Sequence, residues 1–151
     1  MASTIAEIMT TRLVTIEPQN SVATAIRLMR QGELRRLPVV ENGKLVGMVT
    51  SGDLRRITGL SSILYDQSQD NFLWRHIPIG NVMSRDPIIL TPETPISDAA
   101  SLLIKRKISG FPVVQKGVLV GIITTSDLLE TLIDCERQFA QVDRKAQSPL
   151  L

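Results

Sequence analysis

Apolar and polar positions follow two periods along this chain, and each pattern occurs twice. Val22, Ala25, Ile26 and Met29 carry the i, i+3, i+4, i+7 spacing of a helix with one buried face, and Ile96, Ala99, Ala100 and Leu103 repeat it. Ahead of each stripe lies a short apolar run, Val14-Thr15-Ile16 or Ile88-Ile89-Leu90, which reads as a strand stopped by Pro18 or Pro92, a residue without a backbone donor. Asn20 is placed to cap the first helix, and Thr94 followed by Pro95 at the first helical position to open the second. Two β-rich runs come next, residues 37–40 and 45–49, divided by Glu41-Asn42-Gly43-Lys44. Asn-Gly is a strong hairpin signal because both residues tolerate positive φ, and Lys116-Gly117 is a weaker version in the second copy. A short helix opening at Thr50 or Thr124 closes each copy, so the order is strand, helix, strand, strand, helix.

The copies align without a gap, since Met83 lies 74 positions after Met9 and the same offset relates every landmark. It pairs Pro38-Val39-Val40 with Pro112-Val113-Val114, Leu45-Val46-Gly47 with Leu119-Val120-Gly121, and Thr50 and Asp53 with Thr124 and Asp127. The expected fold class is α/β of the α+β kind: two βαββα repeats, 5–57 and 79–133, packed sheet to sheet around a pseudo-twofold axis. Residues 58–78, with Tyr65, Phe72, Trp74 and His76, have no counterpart and read as an insertion. Within it Ser68-Gln69-Asp70-Asn71 reads as a turn and Phe72-Leu73-Trp74 as a segment packing back on the module or docking a partner. Residues 134–151 read as a polar tail, a short helix fraying into disorder.

Composition narrows the picture. Hydrophobic residues make up 43% of the 151, but aromatics only 3%, so the core is aliphatic. Seventeen basic against 15 acidic side chains leave a charge of +2, too small an excess to favour nucleic acid. No apolar run approaches the ~20 residues of a membrane span, and the start lacks a secretory signal, so the expected location is cytoplasmic, without membrane contact. Cys135 stands alone as a reduced thiol with no metal-ligand neighbours.

Chemistry concentrates in Gly47-Met48-Val49-Thr50-Ser51-Gly52-Asp53 and Gly121-Ile122-Ile123-Thr124-Thr125-Ser126-Asp127. Each sets a glycine on a strand, a hydroxyl at a helix start and a carboxylate in the first turn. Free N–H groups there favour phosphate, and a carboxylate can accept from both hydroxyls of a ribose. Thr-x-x-Asp is equally what a helix capping box requires, and a duplicated fold would duplicate its caps.

With the Leu-Pro-Val-Val run, the Leu-Val-Gly strand and Thr-x-x-Asp at fixed spacing twice, the chain resembles the CBS domain family and its tandem pairs, called Bateman modules, here as a stand-alone pair. The resemblance implies clefts between the repeats that in many members bind adenine-containing ligands, and assembly of two pairs into a homodimeric disc. AMP, ADP, ATP, S-adenosylmethionine and NADH are the ligands considered, none of them a required cofactor. Carried over, Asp53 and Asp127 would hold ribose hydroxyls and Thr50 and Thr124 would face phosphate. Arg35 and Arg36, or Ser109 and Gly110, would contact phosphate or base. Backbone near Val14 and Ile88 would line the adenine, with apolar walls from Met48 and Ile122. The guanidinium pair then makes the Asp53 side the one suited to a charged nucleotide.

The implied function is a regulatory module that senses an adenine nucleotide and signals through its dimer or a separate protein partner, with no effector domain of its own. A ligand-free structural module remains the alternative, as does a nucleic-acid-binding CBS protein on the strength of Arg27, Arg30, Arg35, Arg36, Arg55 and Arg56. The second copy carries Asp98, Asp127, Glu130 and Asp134 instead, a charge asymmetry that solvated faces, dimer orientation or an acidic partner would each explain. An enzyme is disfavoured: His76 is the one histidine, no nucleophile–base spacing is recognisable, and no three or four metal ligands cluster.

Overall fold

Two hydrophobic cores organise the chain in a computed structural model that describes residues 2–64 and 71–147. The protein has mixed α+β architecture with small antiparallel sheets and four main helices. One compact unit comprises residues 12–88 and 116–119, the other residues 1–11, 89–115 and 120–151.

In the first of these, helix α1 (Val22–Gly32) buries Val22, Ala25, Ile26 and Met29, the stripe its periodicity predicts. Ser21 is its cap, accepting from the Thr24 N–H, and not Asn20. The Asn20 side chain instead accepts from the Glu17 N–H at 2.8 Å and closes the turn after the chain's extended entry. That entry is no full strand: only Ile16 bridges, parallel to Val39, through N–H to the Pro38 carbonyl and carbonyl to the Val40 N–H. Pro18, two residues on, has no donor to extend the ladder. Strands β1 (Arg36–Glu41) and β2 (Lys44–Thr50) form the hairpin, with Asn42 at φ 50° and Gly43 at φ 77° in the turn. Helix α2 (Ser51–Thr58) follows directly.

The second unit repeats this. Leu90 alone bridges Val113 where a strand over 88–90 was expected, and Ile88 and Ile89 are exposed. Pro95 occupies the cap position of α3 (Ile96–Arg106), while the Thr94 hydroxyl accepts from the Thr91 N–H, so the helix starts one residue later than its sequence suggests. Strands β4 (Gly110–Gln115) and β5 (Val118–Thr124) turn at Lys116 and Gly117 with φ of 49° and 78°, the same turn as in the first copy despite the lysine.

Neither unit is built from one repeat alone. Ser3 and Ile5 precede the first repeat's helix, yet they seal the start of α3: Ile96 donates to Ser3, Ile5 to Thr94 and Ala6 to Pro92. Ile5 is buried in the same core as Phe111 and Ile123. Ile77, Ile79 and Gly80 seal α1 through the equivalent bonds, Val22 to Ile77, Ile79 to Asn20 and Gly80 to Pro18. Met83 follows into that core, and the strand β3 (Ser84–Arg85) pairs antiparallel with Met48 and Gly47.

Of the inter-repeat segment, Ile63 and Trp74 are buried in the first core, whereas Phe72 and Leu73 are 69% and 62% exposed. The turn expected at residues 68–71 falls outside the described residues except for Asn71, which caps the 3-10 turn Phe72–Arg75. The closing helix of the second repeat is not short, and the segment expected to fray continues it: α4 runs unbroken through Thr125–Ala146, 22 residues. The apolar positions 139 and 142, embedded in charge, extend the helical period past Ile133.

Candidate functional site

The two Thr-x-x-Asp segments fold into matched capping boxes because an extended residue with a short hydroxyl side chain ends each strand. Thr50 has φ −113° and ψ 162°, Thr124 φ −126° and ψ 165°. At Asp53, Oδ2 accepts from the Thr50 N–H at 2.8 Å and the Thr50 hydroxyl at 2.9 Å. At Asp127, Oδ2 accepts from the Thr124 N–H at 2.6 Å and the Thr124 hydroxyl at 2.9 Å. Capping is thus satisfied on one carboxylate oxygen, and the other oxygen is where the copies diverge.

Asp53 is buried at 8% exposure, and its Oδ1 accepts from the Arg56 guanidinium, one turn along α2. Arg36, half-buried at the start of β1, lies within electrostatic reach: burial pushes its guanidinium below the ordinary value and the Asp53 carboxylate pulls it back up. Arg35 and Arg55 are exposed and line a surface depression with Ser51, Ser62, Ile63 and Leu64. Ser51 is tied to the strand entrance, its N–H donating to the Arg35 carbonyl at 2.8 Å.

Asp127 is half-buried, and its Oδ1 accepts from the Thr10 hydroxyl at 3.1 Å. All four arginines have been replaced at the matching positions, by Ser109, Gly110, Leu129 and Glu130. Ser109 is exposed and its carbonyl accepts from the Thr125 N–H; Gly110 is buried. Two like boxes therefore differ at the matching positions, four arginines in the first copy and none in the second.

Of the apolar positions singled out from sequence, Met48 and Ile122 are nearly buried on β2 and β5, at 7% and 9% exposure. Val14 packs against the first core, and Ile88 is exposed. The sequence reading did not include Thr10, and it counted Arg55 and Arg56 in the arginine cluster of the first copy without assigning them to the Asp53 box. It also left Gly47 and Gly121 unexplained: a Cβ at Gly47 would meet Met83 Sδ and the Ser84 carbonyl, each at 2.7 Å, and one at Gly121 would meet Met9 Sδ at 2.6 Å. The signal was present, since Met9 and Met83 share the offset of the glycines they cover.

Among the described residues no group of three or more His, Cys, Asp or Glu side chains could hold a metal ion, and no helix is long and apolar enough to cross a membrane. His76 is exposed and spends a ring nitrogen on the Phe72 carbonyl, at 3.0 Å.

A CBS domain-containing protein of Dictyostelium discoideum is 33% identical over 132 residues, spanning 85% of this chain and 90% of its own. Among solved structures, CBSX2 from Arabidopsis thaliana, crystallised in complex with AMP, superposes at TM-score 0.75 with 27% identity over 89% of this chain and 99% of its own. The CBS domain pair of the protein MJ0100, in complex with 5'-methylthioadenosine and S-adenosyl-L-methionine, superposes at 0.71 with 26% identity over 85% of this chain and 94% of its own. The CBS domain model itself matches residues 5–58 and again 79–134, so the chain belongs to the CBS domain family, as a tandem pair.

Proposed function

We propose that this CBS pair is a regulatory module that binds an adenine nucleotide carrying phosphate at the Asp53 box, and that the Asp127 box takes at most a weakly charged adenosine group. The observation that carries the reading is the contrast between matched boxes. Arg35, Arg36, Arg55 and Arg56 surround the start of α2, and Ser109, Gly110, Leu129 and Glu130 stand at those positions in the second copy. Arg35 and Arg55 sit exposed beside Ser51 in one depression. Guanidinium donors beside a helix start suit an anionic group. The AMP bound by CBSX2 and the S-adenosyl-L-methionine bound by the MJ0100 pair supply the ligand class. Binding is the activity this reading assigns to the boxes, in which Thr50 and Asp53, and likewise Thr124 and Asp127, hold one another as caps. Occupancy would be passed on through a dimer or a partner protein, provided the ligand binds one conformation better than another.

The test is thermal unfolding with AMP, ADP, ATP, S-adenosylmethionine and NADH. At a hundredfold excess over its dissociation constant a specific ligand adds about 2.7 kcal/mol. At this chain length that raises the midpoint by roughly 5–10 °C. The shift should be lost in Arg35→Ala and Asp53→Ala and kept in Asp127→Ala. Equal loss in both aspartate variants would sink the asymmetry. No shift with any compound would favour the second reading, a ligand-free structural module, which rests on the full engagement of both carboxylates by their own chain.

A further inference from the structure

A ribose presented to either capping box finds a carboxylate that is already engaged. An ionised carboxyl group has about four lone-pair sites, two on each oxygen. At Asp53 the Thr50 N–H and hydroxyl take both sites of Oδ2, and the Arg56 guanidinium takes one of Oδ1. At Asp127 the Thr124 N–H and hydroxyl do the same on Oδ2, and the Thr10 hydroxyl takes one site of Oδ1. One site is left in each box, whereas the two hydroxyls of a ribose bring two donors. The threonines are fixed as helix caps, so the group that yields is in each case the partner of Oδ1.

The two exchanges differ in kind. In the second box one neutral hydroxyl replaces another, and the electrostatics of the carboxylate stay as they were. In the first a neutral hydroxyl replaces a guanidinium, so a carboxylate buried at 8% exposure gives up its bonded cation. The Arg56 side chain is itself 75% exposed and can turn away from Asp53 without unpacking α2. An anionic group on the same ligand makes the exchange favourable, because it gives the displaced guanidinium a new charged acceptor.

We propose that Arg56 is an exchange latch that makes the Asp53 box select a nucleoside carrying phosphate over the bare nucleoside: it leaves Asp53 Oδ1 as the ribose arrives and moves onto the phosphate. This inference rests on the reading that the Asp53 box binds an adenine nucleotide, and adds to it a penalty against adenosine. An arginine that only contacts phosphate strengthens the binding of AMP and is silent toward adenosine. A latch acts on the two ligands with opposite sign.

Isothermal titration of the full chain carrying Asp127→Ala, which removes the second box, reads the affinity of the first for AMP and for adenosine. Adding Arg56→Ala should weaken AMP about tenfold, the worth of a charge-assisted contact. It should strengthen adenosine about two- to fivefold, since an exposed ion pair is worth little. Arg56→Met, which keeps the apolar stem and loses the charge, should move both affinities in the same directions, and it carries the test if circular dichroism shows the alanine variant unfolded. Adenosine binding that stays level or falls would overturn the latch and leave Arg56 as a phosphate contact or a support for the cap, with the nucleotide reading intact. An AMP affinity indifferent to Arg56 would overturn it equally. AMP binding that is absent, or that survives Asp53→Ala, would overturn the nucleotide reading and the latch with it.

Discussion

Adding one methyl group at Gly47 and one at Gly121 should have unequal consequences, although the positions are equivalent in the repeat. Neither glycine has positive φ, so backbone strain does not enter. The difference lies in what covers each strand. At Gly47 the new Cβ would sit 2.7 Å from the Ser84 carbonyl oxygen, a backbone atom held by the β2–β3 pairing, as well as 2.7 Å from Met83 Sδ. At Gly121 the tightest approach, 2.6 Å, is to Met9 Sδ, on a flexible side chain, and the Thr10 carbonyl stands off at 3.2 Å. Overpacking against fixed neighbours costs about 1–3 kcal/mol. Either substitution recovers about 0.4–1 kcal/mol by restricting the unfolded chain. Gly47→Ala should therefore lose a net ~1–2 kcal/mol, and the melting midpoint fall by roughly 3–8 °C. In Gly121→Ala the thioether can swing aside and the terms nearly cancel, so the midpoint should move by less than about 3 °C. Paired calorimetric scans read both. A loss in Gly121→Ala equal to or above that in Gly47→Ala would refute the reasoning, because it would mean that the methionine, not the strand behind it, is the rigid element.

Lys116 has φ 49° in a turn where Asn42 serves the same role in the first copy, so Lys116→Asn should stabilise by about 0.5–1 kcal/mol, seen as a midpoint rise of a few degrees. Asp53→Asn should cost about 2 kcal/mol, since it removes charge from a carboxylate bonded to Arg56 and facing half-buried Arg36. Asp127→Asn, whose second oxygen meets only the Thr10 hydroxyl, should cost about 1 kcal/mol; denaturant midpoints of the two variants give the comparison. The Ser3 and Thr4 N–H groups hold the Glu7 carboxyl below its usual value of 4.5. A depressed carboxyl stabilises the fold above its unfolded value and loses that contribution as pH falls through the folded one. An NMR titration should accordingly place Glu7 below the ordinary glutamate range, and Glu7→Gln should remove that part of the acid dependence.

Local pattern alone determined much of this protein. The buried stripe of α1, both hairpins and the two capping boxes each depend on residues within about ten positions of one another, where backbone geometry dictates spacing. The repeat offset was legible for the same reason: a duplicated unit keeps its internal distances. Boundaries failed where two local options competed, as when Asn20 closed a turn and left the cap to Ser21. Alternating charge concealed the length of α4, whose apolar positions 139 and 142 continue a period that composition masks. Only the tertiary structure decided which segment completes which core. Thr10 reaches Asp127 across 117 positions, and Met9 covers Gly121 while Met83 covers Gly47. Two equivalent segments fit two equivalent sites, so either assignment satisfies the same apolar pattern. The connection that places each segment on the other repeat's helix start is a property of chain path, which periodicity does not encode. The four arginines of the first copy were visible as residues, but bringing Arg36 and Arg56 to the Asp53 carboxylate, and Arg35 and Arg55 to one depression beside Ser51, required β1, α2 and the inter-repeat segment to be folded against each other.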